Sequence, residues 1–377
     1  MKKLASVLLA LSMILMLAAC GSNTPASSVS TPAAGLRIAI VTSSGIDDGN
    51  FTQNCYEGIL EFISTHPDAT VTEVKEPDIS KTMEAAVSVI ADYDVLVLPG
   101  FQYATIGAYA ADNPNTKIIL VDAFPTDADF NEFAEPLDNV YAMQFKEQES
   151  GFLAGVAAAM QTETGKVAVV NGIAYPSNVN YQYGFMAGVN YANANYGTSA
   201  DYVELASYAG EDVTGANVGG NYVGDFNMPD IGKVLGEALI AENVDIMLVA
   251  AGGSGGGVFT AAKEAENVFV IGCDVDEYDS GAVADRNVVL TSALKVMSIN
   301  VTRQLNAIAN GTFVGANETL GADSDSTGIV LADGRHQLDA ETVEKLKEVF
   351  ALIKDGTIVP PANFNGYLPT DFPGLEA

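Results

Sequence analysis

The side chains equipped for chemistry in this sequence fall just after short apolar runs. Asp47, Asp48, Asn50, Phe51 and Gln53 follow Ile38–Val41, and Asp122 follows Ile118–Val121. Asn171, Tyr175, Asn178, Asn180 and Tyr181 follow Val167–Val170, while Asp274 and Asp276 follow Val268–Ile271. Lys295 comes after Thr291-Ser292-Ala293-Leu294 in a chain poor in bases. Carboxylates are good acceptors for paired hydroxyls, each such bond netting about 1.5–3 kcal/mol. Aromatic faces stack on flat rings for about 1–3 kcal/mol, by analogy with nucleic-acid binders. The set therefore suits a neutral ligand with a sugar part and a planar part. Each residue also has a plainer reading: Asp48 or Asn50 as a helix cap with Phe51 stapling the first turn, Asp122 and Asp274 as caps, Lys295 as a solvated helix residue. The run Gly252 to Gly257 has the form of a phosphate cradle, but no Gly-Lys-Ser/Thr follows. Gly252 and Gly253 read instead as backbone N–H groups approaching a ligand, or as loop flexibility. No catalytic triad, nucleophile elbow or zinc spacing is present, and the two histidines, His66 and His336, stand far apart.

Those residues need elements to position them. Apolar runs at Ile38–Val41, Val71–Val74, Val95–Leu98, Ile118–Val121 and Val140–Met143 predict five strands, with helices near 54–65, 81–92 and 103–112. An Ala/Gly-rich helix at 148–160 opens a second series. Its strands are Val167–Val170, Tyr202–Leu205, Ile246–Val249, Val268–Ile271 and Val288–Leu290, with helices near 179–195, 229–242 and 256–265. A helix from Ser292 to about Asn310, a strand Ile329–Leu331 and a helix 340–354 follow, and these last elements are expected to return to the first lobe. The alternation predicts an α/β fold of two doubly wound parallel-sheet lobes. In such sheets ligands bind beyond the carboxyl ends of the strands, so the cleft between the lobes is the natural site, closing by hinge motion.

Length and composition bound the function. With 377 residues, two domains are expected. The 48 acidic against 17 basic residues give a net charge of −31, which argues against nucleic acid as a partner. Lys2-Lys3, the apolar run Leu4 to Leu17 and Leu17-Ala18-Ala19-Cys20 read as a secretory signal of the lipoprotein type. Its end resembles the bacterial lipobox, which implies cleavage before Cys20 and a diacylglycerol on its sulfur. Residues 1–19 are then the signal peptide and 20–35 a lipidated Ser/Thr/Pro/Ala tether. Residues 36–145 form the first lobe, completed by part of 290–377. Residues 146–289 form the second, and 290–377 hold the crossover and the last strand and helices. Cys55 and Cys273 read as two unpaired buried thiols.

The motifs, taken together, resemble the basic membrane protein (BMP) family of bacterial substrate-binding lipoproteins, of the purine nucleoside receptor type. Gly45-Ile46-Asp47-Asp48-Gly49-Asn50-Phe51-Thr52-Gln53 is similar to that family's Gly-Ile-Asp-Asp-x-Ser-Phe-Asn-Gln. Phe145 to Gly155, Gly184 to Val189, Ala250 to Gly255, Ile271 to Asp276 and Thr291 to Lys295 match later motifs in order, covering about the whole mature chain. The resemblance implies a type I periplasmic-binding-protein-like fold. It implies that Phe51 stacks on the ligand ring opposite Tyr181, and that Asp122, Asp274 and Lys295 hold sugar hydroxyls. Asp48 and Asn54 would order or contact the base side. The family's nucleoside receptors carry Asp directly after Val-Thr, where this chain has Ser43 in a loop one residue shorter, so base preference is expected to turn on Ser43.

The expectation is a monomeric binding protein without enzymatic turnover or cofactor. It is held on the outer face of the cell membrane by its lipid alone, and it hands a nucleoside-like ligand to an ABC permease and ATPase. Other readings are a binder of a sugar or sugar-derived signal, a surface interaction protein (an adhesin or antigen) with a vestigial cleft and, third, an enzyme such as a nucleoside hydrolase.

Overall fold

The structure, a computed structural model, describes residues 35–362. The signal segment, Cys20 and all but the end of the tether lie outside the described residues. The first half alternates β1 (Arg37–Thr42), α1 (Phe51–Thr65), β2 (Thr70–Lys75), α2 (Thr82–Val89), β3 (Val95–Pro99), α3 (Gly107–Ala110), β4 (Lys117–Val121) and β5 (Val140–Phe145). The second runs α4 (Glu147–Gln161), β6 (Lys166–Asn171), α5 (Pro176–Tyr196), β7 (Asp201–Tyr202) and a ribbon of β8 (Gly210–Glu211) and β9 (Asn217–Gly219). It continues with α6 (Pro229–Ala241), β10 (Ile246–Ala250), α7 (Gly255–Glu264), β11 (Phe269–Asp274), a ribbon of β12 (Ala282–Val283) and β13 (Arg286–Asn287), and β14 (Val289–Lys295). Then come α8 (Ser298–Ala309), β15 (Ala316–Leu320), β16 (Thr327–Ile329) and α9 (Ala340–Lys354).

Two sheets result, ordered β15-β5-β4-β3-β1-β2 and β16-β14-β11-β10-β6-β7. All pairings are parallel except β14 with β16. β3 and β10 are buried along their whole length, as strands covered by helices on both faces must be. The two sheets trace one path, so β4 and β11 are equivalent, as are β5 and β14. In each the strand order reverses beside the first strand, leaving a crevice at the carboxyl ends. The mixed α/β, two-lobed architecture expected from the sequence is the one observed.

Several local expectations change. Ser292 to Lys295 continues β14 rather than starting a helix, with Gly272 opposite Ser292 and Asp274 opposite Leu294. A helix there would strip hydrogen bonds from β11 and β16 on both sides, so α8 starts at Ser298. Of Tyr202–Leu205 only Tyr202 pairs as strand; the Leu205 N–H donates to Asn221 instead (2.8 Å). The helix expected at 103–112 is 3₁₀ turn from Phe101 to Ile106, then one α-helical turn. Of the last elements, α8 does pack on α1, where Thr302 donates to the Gly58 carbonyl. The terminal strand and helix do not return to the first lobe. β16 pairs with β14, and Leu346, Val349 and Ile353 of α9 join the core of α4 and α5. The strand that joins the first sheet is β15.

The helix pair α4–α5 is held by glycine. Gly151 and Gly155 lie against the carbonyls of Tyr181 and Phe185, and Gly184 and Gly188 against those of Gln148 and Phe152. The contacts advance together along both helices, so the two run in the same direction and both begin at the cleft. Side chains would hold them apart; their absence lets Glu147 and Asn180, from the two first turns, touch. A Cβ at Gly188 would strike backbone that cannot move aside. Gly188→Ala is therefore expected to lower unfolding stability by about 1–3 kcal/mol, read as a lower urea midpoint at unchanged slope.

Candidate functional site

The loop after β1 is organised by Asp48. Its Oδ1 accepts from the N–H groups of Gln53 (3.0 Å) and Asn50 (3.2 Å), and its Oδ2 from Thr52 N–H (3.0 Å) and Ser44 Oγ (3.0 Å). This carboxylate caps α1 and is fully engaged, although it lies in the cavity wall. The capping sets Phe51 at the first helical position with its ring in the cleft. Asn54, expected at the ligand, lies elsewhere. Its Oδ1 accepts the N–H groups of Met297 (3.1 Å) and Ser298 (3.0 Å), satisfying donors at the start of α8.

Asp122 directly follows β4 and Asp274 ends β11, the equivalent strand of the other sheet. Both have left-handed backbones, φ 64° and 67°, unusual away from glycine. That turn aims both carboxylates back over the strand ends. Between them sits Lys295, the last residue of β14 and only 2% exposed. Its Nζ lies 2.7 Å from Asp122 Oδ2, 3.6 Å from both Asp274 Oδ1 and Glu147 Oε1, and 4.6 Å from the Phe51 ring centroid. The Tyr181 hydroxyl donates to Asp274 Oδ1 (3.0 Å), and the Asn180 amide to Glu147 Oε2 (2.9 Å). Asp122 Oδ1 is buried without a hydrogen-bond partner.

Burial, the largest influence on Lys295, opposes its charge. The Asp122, Asp274 and Glu147 carboxylates nonetheless hold its pKa well above the ordinary value. Burial pushes Glu147 up to about 8 against the pull of Lys295, and raises Asp122 in the same way. Cys273 lines the cavity, its Sγ 3.5 Å from Asp274, while Cys55 is buried in α1 with its Sγ 3.9 Å from Met297 Sδ; neither is in a disulfide.

Away from this charged end the cleft becomes aromatic. Phe101, from the first lobe, packs on Tyr175 of the second (centroids 5.3 Å apart), and Tyr175 on Phe226 (5.9 Å). Ser43, Ser44, Gln102 and Asn178 complete this end, with Gly252 in the wall; Gly253 opens instead onto a neighbouring groove. About 640 Å³ of atom-free space, open solvent at its mouth included, lies among these residues. Of the residues singled out in the sequence, Ser43, Asp48, Phe51, Asp122, Tyr181, Gly252, Asp274 and Lys295 are brought together; Asn54 and Gly253 are not. Glu147 and Phe226 were missed. Glu147 was legible as an acidic first turn before an Ala/Gly helix, whereas Phe226 sits in a Gly/Asp/Asn loop with no periodicity. Among the described residues no His/Cys/Asp/Glu group is arranged to hold a metal ion.

The raised Glu147 makes stability depend on pH. Between its ordinary 4.5 and about 8 the folded chain keeps a proton that the unfolded chain releases, so stability falls as pH rises through that window. Glu277, buried and pushed up to about 8, acts with the same sign. Glu147→Gln is expected to flatten the decline, read from urea midpoints between pH 5 and 8; an unchanged slope would count against the assignment.

Known proteins bear on this geometry. The family model described as "ABC transporter substrate-binding protein PnrA-like" matches residues 36–207 and 206–363. The chain is 29% identical over 380 residues to the CD4+ T-cell-stimulating antigen of Listeria innocua, covering 94% of this chain and 97% of that protein. It is 27% identical over 328 residues to the ABC transporter nucleoside-binding protein BmpA of Lactococcus lactis, covering 81% and 84%. In structure it is similar to an ABC transporter solute-binding protein from Aeropyrum pernix K1, with TM-score 0.69, 22% identity, and coverage of 88% and 95%. The chain belongs to the PnrA-like family of ABC transporter substrate-binding proteins, the basic membrane protein family.

Proposed function

We propose that this substrate-binding protein captures a nucleoside and delivers it to an ABC permease and ATPase as a lipid-anchored monomer on the extracytoplasmic face of the membrane. The observation that carries the reading is the division of the cleft. One end holds a buried ammonium among Asp122, Asp274 and Glu147. The other is walled by Phe101, Tyr175 and Phe226, and Phe51, its ring against the ammonium, stands where the two meet. A sugar's vicinal hydroxyls can donate to the two aspartates while accepting from Lys295. The free Asp122 Oδ1 supplies an acceptor whose burial is otherwise costly. A flat base then lies in the aromatic end, with Phe51 as its stacking face. Tyr181 holds Asp274 through its hydroxyl and Gly252 shapes the wall. The Lactococcus relative, named as a nucleoside-binding protein, supports the same ligand class.

On the base side Asp48 is committed to capping, and the amide nitrogens of Gln102 and Asn178 are held by the Pro99 and Ala250 carbonyls. Discrimination therefore falls to the Ser43 hydroxyl and the Gln102 and Asn178 side-chain carbonyls. The anchor rests on Leu17-Ala18-Ala19-Cys20. Among the described residues no helix is long and apolar enough to cross a membrane.

A panel of nucleosides, free bases and sugars in a thermal-shift assay tests the ligand. A nucleoside at 100 times its Kd should add about 2.7 kcal/mol and raise Tm visibly. Silence from every nucleoside would refute this reading, and shifts from sugars alone would replace it with a sugar-binding one. Asp274→Ala, folded by circular dichroism, should lose at least tenfold in affinity for a hydrogen bond to a charged group. Mass spectrometry of the N-terminal peptide from the membrane fraction should find cleavage before Cys20 and a diacylglyceryl group on its sulfur; an unmodified Cys20 would sink the lipid anchor.

A further inference from the structure

The chain passes between the sheets three times. It leaves β5 for α4 through Lys146, leaves β14 for α8 through Val296-Met297, and leaves β15 for β16 through residues 321–326. Two consecutive residues at the start of α4 touch or flank each of these passages, beginning with the first, where the Glu149 N–H donates to the Lys146 carbonyl (2.9 Å). Glu149 Oε2 accepts from the Ala322 N–H (2.7 Å) and the Thr327 hydroxyl (2.6 Å), both on the third passage or just past it. Ser150 Oγ donates to the Leu294 carbonyl (2.7 Å), just before the second, and accepts from the Gly328 N–H (2.9 Å), after the third. Both side chains are buried, Ser150 completely.

The partners on the other side are equally definite. Asn54, in α1, holds the Met297 and Ser298 N–H groups. Phe145 and Leu320 are paired at the ends of β5 and β15. The fixed points on the two sides thus stand one residue apart on each passage. Lys146 separates Phe145 from α4; Val296 separates Lys295 from the residue that Asn54 holds; Gly321 separates Leu320 from the residue that Glu149 holds. The passages are also tied side by side, Lys146 N–H donating to Leu320 O (2.8 Å) and Val296 N–H to Ser326 O (2.9 Å). A Cβ on Gly321 would press on the Lys146 and Glu149 side chains.

We propose that Glu149 and Ser150 are positioning residues for ligand capture. They fasten all three passages to the second lobe and so confine the bending that opens and closes the cleft to Lys146, Val296 and Gly321. Neither residue lines the ligand cavity. Hinges of this kind are a few element-terminal residues that absorb the backbone rotation. Loosening the stitch lets the lobes close out of register, and every ligand suffers alike.

Hydrogen exchange and ligand binding on the full-length chain test this together. In the ligand-free protein, Ser150→Ala and Glu149→Ala should speed exchange in segments 292–298 and 320–329 while the strands of both sheets keep their protection. Glu149→Gln, which retains an acceptor, should restore part of it. With adenosine and inosine as probes, both alanine variants should raise Kd by the same factor, about tenfold, chiefly through faster release. Unchanged exchange at the passages would overturn the proposal. So would a rise spread over both sheets, which marks plain destabilisation, or an effect on one nucleoside and not the other. If neither nucleoside binds the parent protein, the nucleoside reading fails on its own, and the exchange of the ligand-free chain still decides the hinge.

Discussion

The structure turns on one buried ammonium. Lys295 belongs to the second sheet, yet its shortest contact is to Asp122 of the first, 2.7 Å away. Taking a charge out of water costs several kcal/mol per ion and is offset only when partners are close and well placed. Here Asp274 and Glu147 stand at 3.6 Å, and the rings of Phe51, Phe145 and Tyr181 present their faces. Asp274 and Glu147 share its lobe and Asp122 does not, so the ammonium reaches its nearest partner only when the lobes meet. Bringing the lobes together and assembling the site are one event.

Around that ion the fold repeats itself with one decisive difference. Asp122 and Asp274 stand at the ends of equivalent strands with nearly the same backbone rotation. The next strand along ends in Phe145 in the first sheet and in Lys295 in the second. Two similar half-sites would give a symmetric pair of carboxylates with nothing to hold them together. Replacing a ring by an ammonium at one of two matching positions breaks the symmetry and supplies the counter-charge. The pairing α4–α5 then brings in a third carboxylate, Glu147, because two helices without side chains at their contact can start side by side at the cleft.

Much of this was readable beforehand, for identifiable reasons. The strands declare themselves as short apolar runs because both faces are covered, and a polar residue straight after such a run sits at the crevice. Phe51, Asp122, Asp274 and Lys295 were found that way. Asn54 misled because it lies one helical turn past Phe51 and its side chain turns to α8, a partner 243 positions away in sequence. Thr291 to Lys295 carries residues that a helix also accepts, and only the neighbours β11 and β16 decide for strand. Ala316 to Leu320 is an edge strand of mixed polarity, with no alternation to detect. Phe226 comes from a loop whose conformation local sequence does not specify. Long-range pairing accounts for most of what sequence alone left open.

The two cysteines of the described residues give the cleft a chemical exposure of its own. Cys55 lies behind one wall, in the Phe51 helix, and Cys273 lines the other beside Asp274. Burial pushes both thiols well above their ordinary pKa, with nearby carboxylates adding to the effect. Little of either is thiolate, the nucleophile that attacks disulfides and oxidants, so both stay quiet while the protein is folded. Should an oxidant reach Cys273, the added sulfenic oxygen would crowd the cavity beside the Asp274 carboxylate, where the proposed sugar hydroxyl would otherwise sit. Oxidative damage would then register first as lost uptake, while the fold still stood.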